Sequence, residues 1–168
     1  KGYCQYYDNI NMKRILFAIS LILFAVSVEA VGKQLVYKNI PTSHHKLLDK
    51  ALRRAGSNAP ELRQALNKAP RQQAEAVAFL ISYMPQRDLE TLTASFILDN
   101  VACAYEAKER FPWGKSIPKD VFFNDVLPYC VMNETRDNWR RDFYERFTKY
   151  VAGARDIFEA IEALNKNI

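Results

Sequence analysis

Apolar residues recur every three or four positions between Thr42 and Arg110, the spacing that places them on one face of an α-helix. Three stretches have the clearest apolar faces. Their residues are Leu47, Leu48, Ala51 and Leu52 in the first helix; Ala74, Val77, Leu80, Ile81 and Met84 in the third; and Leu89, Leu92, Phe96, Val101 and Tyr105 in the fourth. A shorter second helix is expected from Asn58 to about Ala69. The pattern therefore predicts four consecutive helices.

Capping residues indicate where the first two helices begin and end. Thr42 or Ser43 can cap the first helix, and Gly56 stands where a helix end favours a left-handed residue. Asn58 and Glu61 have the spacing of a capping box, in which two side chains satisfy backbone donors of the first turn. We expect that box to start the second helix.

Prolines and a carboxylate bound the next two helices. Pro70 is expected to open the third helix and Pro85 to stop it, because proline lacks the amide donor that a helix interior needs. Asp88 is expected to cap the longest helix of the chain, which continues to about Arg110.

Prolines and aromatic residues concentrate after residue 110, so the helices predicted there are shorter. Their expected first residues are Pro118 or Lys119, then Thr135 or Asp137, then Ala154. Their expected buried faces are Val121, Phe122 and Val126; Trp139, Phe143, Phe147 and Val151; and Ile157, Ile161 and Leu164. The sequence thus predicts an all-α protein, an irregular bundle of six or seven helices over residues 42–168.

The N-terminal stretch has the three parts of a secretory signal peptide. Lys13 and Arg14 give it a positive start, residues 15–28 are an apolar core, and Val28-Glu29-Ala30 has small residues at the cleavage positions. The core of 14 residues is shorter than the roughly 20 that cross a bilayer. Cleavage after Ala30 is therefore preferred over a stable membrane anchor, and the protein is expected to be exported to the periplasm or outside the cell.

This interpretation divides the chain into four parts. Residues 1–11 precede Met12 and are taken as an upstream or non-native segment, and residues 12–30 are the signal peptide. Residues 31–41 form an N-terminal segment, of which 33–40 could be extended. Residues 42–168 form the helical domain.

Composition narrows the class of protein further. With 49% hydrophobic and 26% charged residues, the chain is globular rather than disordered. The net charge is only +5, and the basic residues of 136–149 alternate with acidic ones, as on a solvated helix face, so nucleic-acid binding is not expected. Two histidines and three cysteines are too few for a structural zinc site, and no metal or cofactor is expected.

Two thiols belong to the helical region. Cys103 has apolar neighbours, which are the surroundings of an inert thiol, and the histidines, His44 and His45, are distant in sequence. An enzyme that is complete in this chain is therefore the least favoured hypothesis. A disulfide between Cys103 and Cys130 is open to an exported protein, but two free thiols are the preferred interpretation.

Six residues near chain turns are candidates for a structural or interface role: Phe111, Trp113, Pro118, Pro128, Tyr129 and Trp139. The three aromatic residues Trp113, Tyr129 and Trp139 could form a platform for a peptide or a glycan. Core positions are preferred, because one aromatic side chain buries about 150 Å² or more. No catalytic, cofactor-binding or metal-binding residue is proposed.

A run of motif residues extends over the same region. It comprises Phe111-Pro112-Trp113-Gly114-Lys115, Ile117-Pro118, Phe122, Asn124, Val126-Leu127-Pro128-Tyr129, Asn133-Glu134 and Trp139-Arg140. This pattern resembles the helical region that precedes the catalytic core in secreted bacterial transglutaminase-like proteins, which belong to the papain-like cysteine superfamily. The resemblance is sharp over residues 109–141 and looser over residues 72–168.

The resemblance implies a non-catalytic role for this chain. In the family, the helical region is followed by a mixed α/β core that holds the catalytic Cys, His and Asp. No histidine follows His45 here, and Cys130 stands where family members more often carry Arg, so no catalytic residue is carried over.

Two functions are consistent with the sequence and with this resemblance. The preferred one is an N-terminal helical domain that packs against a downstream transglutaminase-like core and shapes its substrate cleft. The whole protein would then be a thiol acyltransferase or protease that acts on peptide or amide bonds. The alternative is a stand-alone helical module that binds a partner in the periplasm or outside the cell.

Overall fold

The structure is a computed structural model that describes residues 15–24, 37–131 and 134–168. The chain divides into two units, residues 1–38 and residues 39–168. In the first unit residues 15–24 are helical, and the expected cleavage site at Ala30 lies outside the described residues. Among the described residues, no helix has both the length and the apolar character needed to cross a membrane.

All the regular secondary structure in the described residues of the second unit is helical, so the predicted all-α class is confirmed. We number them α1 (Thr42–Arg54), α2 (Ala59–Lys68), α3 (Ala74–Tyr83), α4 (Gln86–Thr91), α5 (Ala94–Arg110), α6 (Pro112–Lys115), α7 (Lys119–Val121), α8 (Trp139–Val151) and α9 (Ile157–Asn167). A 3₁₀ turn, Gly56–Asn58, follows α1, and a π-helical turn, Phe122–Val126, continues α7. The extended segment expected over 33–40 is wrong at residues 37–40, which form a turn, and residues 33–36 lie outside the described ranges.

Helices α1 to α5 form a core of apolar faces, much as their spacing predicts. α1 packs on α3, α2 packs on α5, and α5 also contacts α3, α6 and α8. The side chains that this packing removes fully from solvent are Leu48, Leu62, Val77, Ile81, Leu89, Ile97 and Val101. Leu47 is an exception to the predicted face because it is 40% exposed. Gly56 has a φ of +55°, the left-handed conformation expected after α1.

The expected long helix from Asp88 to Arg110 is wrong, because two helices occupy this stretch. The chain leaves the helical conformation at Leu92, and α5 begins after Thr93, whose Oγ1 accepts a hydrogen bond from the Phe96 amide at 3.2 Å. Thr93 is therefore the cap, and Asp88 lies inside α4 with 1% of its surface exposed.

The capping box expected at the start of α2 is also wrong. Asn58 precedes α2 but makes no capping bond. Its Nδ2 instead donates to the carbonyls of Leu89 and Leu92, both at 2.9 Å, and the Glu61 carboxylate accepts from the Ala94 amide at 2.8 Å. Both side chains therefore hold the break between α4 and α5 in place, because that break leaves backbone groups without helical partners.

The buried face of the turn after α7 and the start of α8 differ from their predictions. In the π-helical turn Phe122 and Phe123 are buried, whereas Val121 is 41% exposed. Such a turn adds a residue per turn, so two successive side chains reach the core. α8 begins at Trp139 after Asn138, which makes no capping bond, so the expected caps Thr135 and Asp137 are not used.

The last helix turns its predicted face toward α8, but that face is only partly covered. Asp156 caps α9 by accepting from the Glu159 amide at 2.9 Å, which starts the helix after the predicted Ala154. Ala160 is buried, whereas Ile157 and Ile161 are 44% and 49% exposed. The predicted burial of Ile157 and Ile161 is therefore wrong, whereas the third predicted residue, Leu164, is half-buried and packs against the same cluster as Ala160.

Candidate functional site

The stretch Val126–Tyr129 lies at the centre of the motif region, and three side chains bind its backbone. Asn100 Nδ2 donates to the Leu127 carbonyl at 2.9 Å, and Trp139 Nε1 donates to the Tyr129 carbonyl at 2.8 Å. Arg140 Nη2 donates to the carbonyls of Val126 and Pro128, both at 2.8 Å. We call Asn100, Trp139 and Arg140 the carbonyl clamp. It satisfies backbone acceptors that the end of the π-helical turn and the proline-containing segment after it cannot satisfy within themselves.

Arg140 is the central member of the clamp. Its Nε donates to Asn100 Oδ1 at 2.8 Å, and its guanidinium lies 4.8 Å from the ring centre of Trp139. Burial lowers the pKa of Arg140. The planar guanidinium has several fixed donors, so one side chain can bind several acceptors in a geometry that lysine cannot reproduce.

A buried carboxylate ties the same loop to α4. The Tyr129 hydroxyl donates to Asp88 Oδ2 at 2.7 Å, and Arg136 Nε lies 3.0 Å from both carboxylate oxygens. Burial, together with the charge of Asp88, raises the pKa of Tyr129, so its hydroxyl stays protonated and can donate. Arg136 also donates to the Glu134 carbonyl, so its side chain connects Asp88 of α4 to the segment that precedes α8.

The prediction of Asp88 as a helix cap is wrong, because its side chain is buried in this ion pair. Asp88 lies four residues before Leu92, whose side chain is buried and whose amide donates to the Asp88 carbonyl at 3.0 Å. That spacing of one helical turn places both side chains on one face. Because a buried carboxylate requires a partner, the spacing was a signal for a long-range ion pair.

An open cleft of about 930 Å³ lies beside this loop. Val131 and Phe143 contribute apolar surface to it, with exposures of 69% and 48%. Carboxylates of Asp125, Glu134 and Asp137 lie around it. We call it the motif cleft, because the motif residues Pro128 and Trp139, together with Arg140, form part of its wall.

The candidate aromatic residues have different ring partners. Trp113 stacks on buried Phe111, with ring centres 5.0 Å apart and planes 5° from parallel. The Tyr129 ring, 5% exposed, meets Phe96 edge-on at 5.6 Å, whereas Trp139 meets Phe143 at 5.5 Å. Of the two candidate prolines, Pro128 is half-buried and lies in the clamped stretch, whereas Pro118 is exposed ahead of α7.

The thiols have surroundings that disfavour nucleophilic chemistry. Cys103 and Cys130 are free, and burial raises the pKa of both thiols.

The two histidines have other partners than the thiols. His44 Nε2 lies 3.3 Å from a Glu75 carboxylate oxygen, and His45 Nε2 lies 3.0 Å from the Ile40 carbonyl. In the described ranges, no group of three or more His, Cys, Asp and Glu is placed to hold a metal ion.

A second concave surface lies between α5, α6, α8 and α9. It is an apolar groove of about 390 Å³, and Phe111, Phe147 and Leu164 line it. Its α9 edge includes the exposed side chain of Ile161, and Phe158 on the same helix is 79% exposed. The sequence did not indicate this groove, because Ile157 and Ile161 were expected inside.

The chain was also compared with known proteins. No protein-family model, no curated protein and no solved structure matches it.

Proposed function

We propose that this chain is the non-catalytic helical domain of an exported transglutaminase-like protein. In this proposal the domain packs against a downstream core that carries the catalytic Cys, His and Asp, and it shapes the substrate cleft of that core. The observation that carries the proposal is the carbonyl clamp, because Trp139 and Arg140 of the motif hold the motif stretch Val126–Tyr129. Residues of the motif therefore bind one another through hydrogen bonds.

The arrangement of the clamped loop suits a docking surface. Leu127 and Tyr129 are buried and fix the path of the loop, whereas Val131 and Phe143 present apolar surface to the motif cleft. A fixed backbone reduces the conformational entropy that binding would cost. A second domain could therefore cover the cleft without reorganising it.

The thiol surroundings support a non-catalytic role. A nucleophilic cysteine needs a lowered pKa and a base within reach, whereas burial raises the pKa of both Cys103 and Cys130. We expect assays of amine incorporation and peptide hydrolysis with this chain to match buffer. Activity that disappears in Cys103→Ala or Cys130→Ala, with the fold retained, would contradict the proposal.

The first experiment is to read the gene beyond the codon for Ile168. A downstream series of Cys, His and Asp codons supports the proposal, and a stop codon at that point contradicts it. If the core is encoded, the two parts can be produced together and their association measured by size-exclusion chromatography.

A pair of variants then tests which surface is used. Val131→Asp places a charge in the motif cleft and should prevent association with the core. Phe158→Asp is the matched control, because Phe158 is exposed on α9 and does not line that cleft. Equal association of both variants with the core would show that the motif cleft is not the interface.

The apolar groove favours a second candidate function, a stand-alone module that binds a partner outside the cytoplasm. Its predominantly apolar wall and the exposed Ile161 at its edge are the features of a surface that a peptide segment could cover. Under this alternative, Ile161→Asp, which places a charge at the edge of the groove, would weaken partner binding and Val131→Asp would not. Ile161→Asp and Val131→Asp therefore separate the two functions.

The proposed export rests on the signal-peptide pattern of residues 12–30. Mass spectrometry of protein from the native host should find a mature chain that begins at Val31. An intact N-terminus at Met12 in a membrane fraction would contradict cleavage.

A further inference from the structure

A third cavity, of about 280 Å³, lies where α3, α5, α7 and the π-helical turn meet. Two lysines and two phenylalanines stand in pairs along its wall. Lys108 Nζ lies 5.4 Å from the ring centre of Phe122, and Lys119 Nζ lies 5.4 Å from that of Phe123. Tyr105 also lines the cavity and meets Phe122 edge-on at 5.1 Å.

The two lysines differ in their charge partners. Lys119 Nζ lies 2.7 Å from both carboxylate oxygens of Glu75, and His44 bonds to the same carboxylate. Burial alone would raise the pKa of Glu75, but the bonds from Lys119 and His44 outweigh it and lower the pKa, so this carboxylate is ionised and offsets the charge of Lys119. Lys108 is half-buried and pairs with no carboxylate in the described part of the chain. Glu109 lines the cavity too, but its side chain is exposed to water.

The backbone around Lys108 is fixed by a close approach of α6. A Cβ added to Gly114 would lie 2.5 Å from the Lys108 carbonyl oxygen, so the two chain segments touch there. Tyr105 and Lys108 are three residues apart on α5 and therefore share one face. The π-helical turn adds Phe122 and Phe123 to the opposing wall, and such turns occur frequently at functional sites.

We propose that this cavity binds a small monocarboxylate with a compact apolar body, such as an aromatic acid. Lys108 pairs with the carboxylate, and the Tyr105 hydroxyl donates to it. The apolar body lies against the half-buried side chain of Ile117, since the Phe122 ring beneath is only 2% exposed. One anionic group matches the one lysine charge that lacks a carboxylate partner in the described wall. Burial and the charge of Glu75 raise the pKa of Tyr105, which keeps its hydroxyl a donor. This inference is independent of the function proposed above.

The test uses benzoate as the probe and benzamide as its neutral counterpart of the same shape. Benzoate should bind saturably with a Kd of about 1 mM or below, which a ligand of this size can reach. In a ¹H–¹⁵N spectrum the amide shifts should change most at Tyr105, Lys108 and Ile117. Benzamide should bind at least about tenfold more weakly, because it lacks the charge.

Two lysine variants locate the charge. Lys108→Gln should weaken benzoate binding by about tenfold or more, whereas Lys115→Gln, an exposed lysine outside the cavity wall, should leave it unchanged. Tyr105→Phe should weaken binding less than Lys108→Gln, because it removes a single donor. Circular dichroism of each variant shows that the fold is retained.

Three results would overturn the inference. The first is the absence of saturable benzoate binding to the wild-type protein, which would leave Lys108 as a lysine that only packs on Phe122. The second is equal binding of benzoate by Lys108→Gln and the wild type. The third is inorganic phosphate binding as tightly as benzoate, which would show that the apolar wall selects nothing.

Discussion

Helices α1 to α5 bury whole apolar faces, whereas the chain after Arg110 combines a few buried side chains, such as Phe122 and Leu127, with a loop whose backbone is bound by distant side chains. In the first region Leu48, Leu62 and Ile97 have no exposed surface. In the second, the carbonyl clamp fixes the stretch Val126–Tyr129, and the rings of Trp113 and Trp139 are only half-buried.

The difference shows what each region needs from the sequence. An apolar face needs only a local spacing, which any amphipathic helix repeats. A clamped loop needs particular donors at particular places, and these come from far along the chain, since Asn100 binds the carbonyl of Leu127 and Asp88 binds Arg136. One altered donor should therefore affect the second region more than one altered methyl group.

The largest expected effect is at Asp88, where the two regions meet. Asp88→Ala removes the buried carboxylate and leaves the Tyr129 hydroxyl and the Arg136 guanidinium without it. Breaking a buried ion pair costs about 3 to 5 kcal/mol, a large part of the roughly 5 to 15 kcal/mol that stabilises a domain. Urea denaturation measures the loss. Arg87→Ala, on the exposed side of the same helix, should stay within about 0.5 kcal/mol of the wild type, and equal stabilities of the two variants would contradict the account.

The next effect concerns the contact between α5 and α6. Gly114→Ala puts a Cβ 2.5 Å from the Lys108 carbonyl oxygen and 3.0 Å from its Cα, so the backbone must shift. We expect a loss of about 1 to 3 kcal/mol, the usual cost of overpacking. Gly153→Ala is the control, because nothing lies within 4 Å of its added Cβ. If thermal unfolding shows both alanine variants to be equally stable, the close approach of α6 to α5 does not constrain the backbone.

A smaller effect is expected at the break between α4 and α5. Thr93→Ala removes the cap that accepts from the Phe96 amide and should cost about 1 kcal/mol. Thr91→Ala is the matched control, because its hydroxyl only bonds back to the Arg87 carbonyl within α4. If the two variants unfold at the same denaturant concentration, the break between α4 and α5 is stabilised by packing rather than by the Thr93 cap.

The smallest effect is a dependence on pH near Glu75. The folded-state pKa of Glu75 is lowered, so its ionised carboxylate adds to the free energy of unfolding at pH values above the ordinary carboxyl pKa. This contribution is lost as the pH falls through the lowered pKa. The contribution should be below about 1 kcal/mol, since Lys119 is largely exposed and the pair is screened. Comparing wild type with Glu75→Gln from neutral to acidic pH should show a difference that shrinks on acidification. A difference that grows on acidification would contradict the sign.

The sequence predicted the apolar faces of the first region and fewer details of the second. Leu48, Val77 and Ile81 were expected inside from spacing alone, and they are buried. Local patterns failed where a side chain had a distant partner, as when Asp88 and Asn58 were interpreted as caps. The clamp could not be predicted for the same reason, because spacing gives no sign that Asn100 and Arg140 meet at one loop.

The most direct test of the contrast is residue-resolved amide hydrogen exchange on the wild type, Arg140→Met and Leu62→Ala. Arg140→Met removes all the donor contacts that Arg140 makes in the clamp and should accelerate exchange in residues 122–131, while α1 to α4 stay protected. Leu62→Ala leaves a cavity in the first region, costs about 2 to 5 kcal/mol and should lower protection across α1 to α5 together. If Arg140→Met leaves residues 122–131 as protected as in the wild type, the polar side chains do not hold the second region.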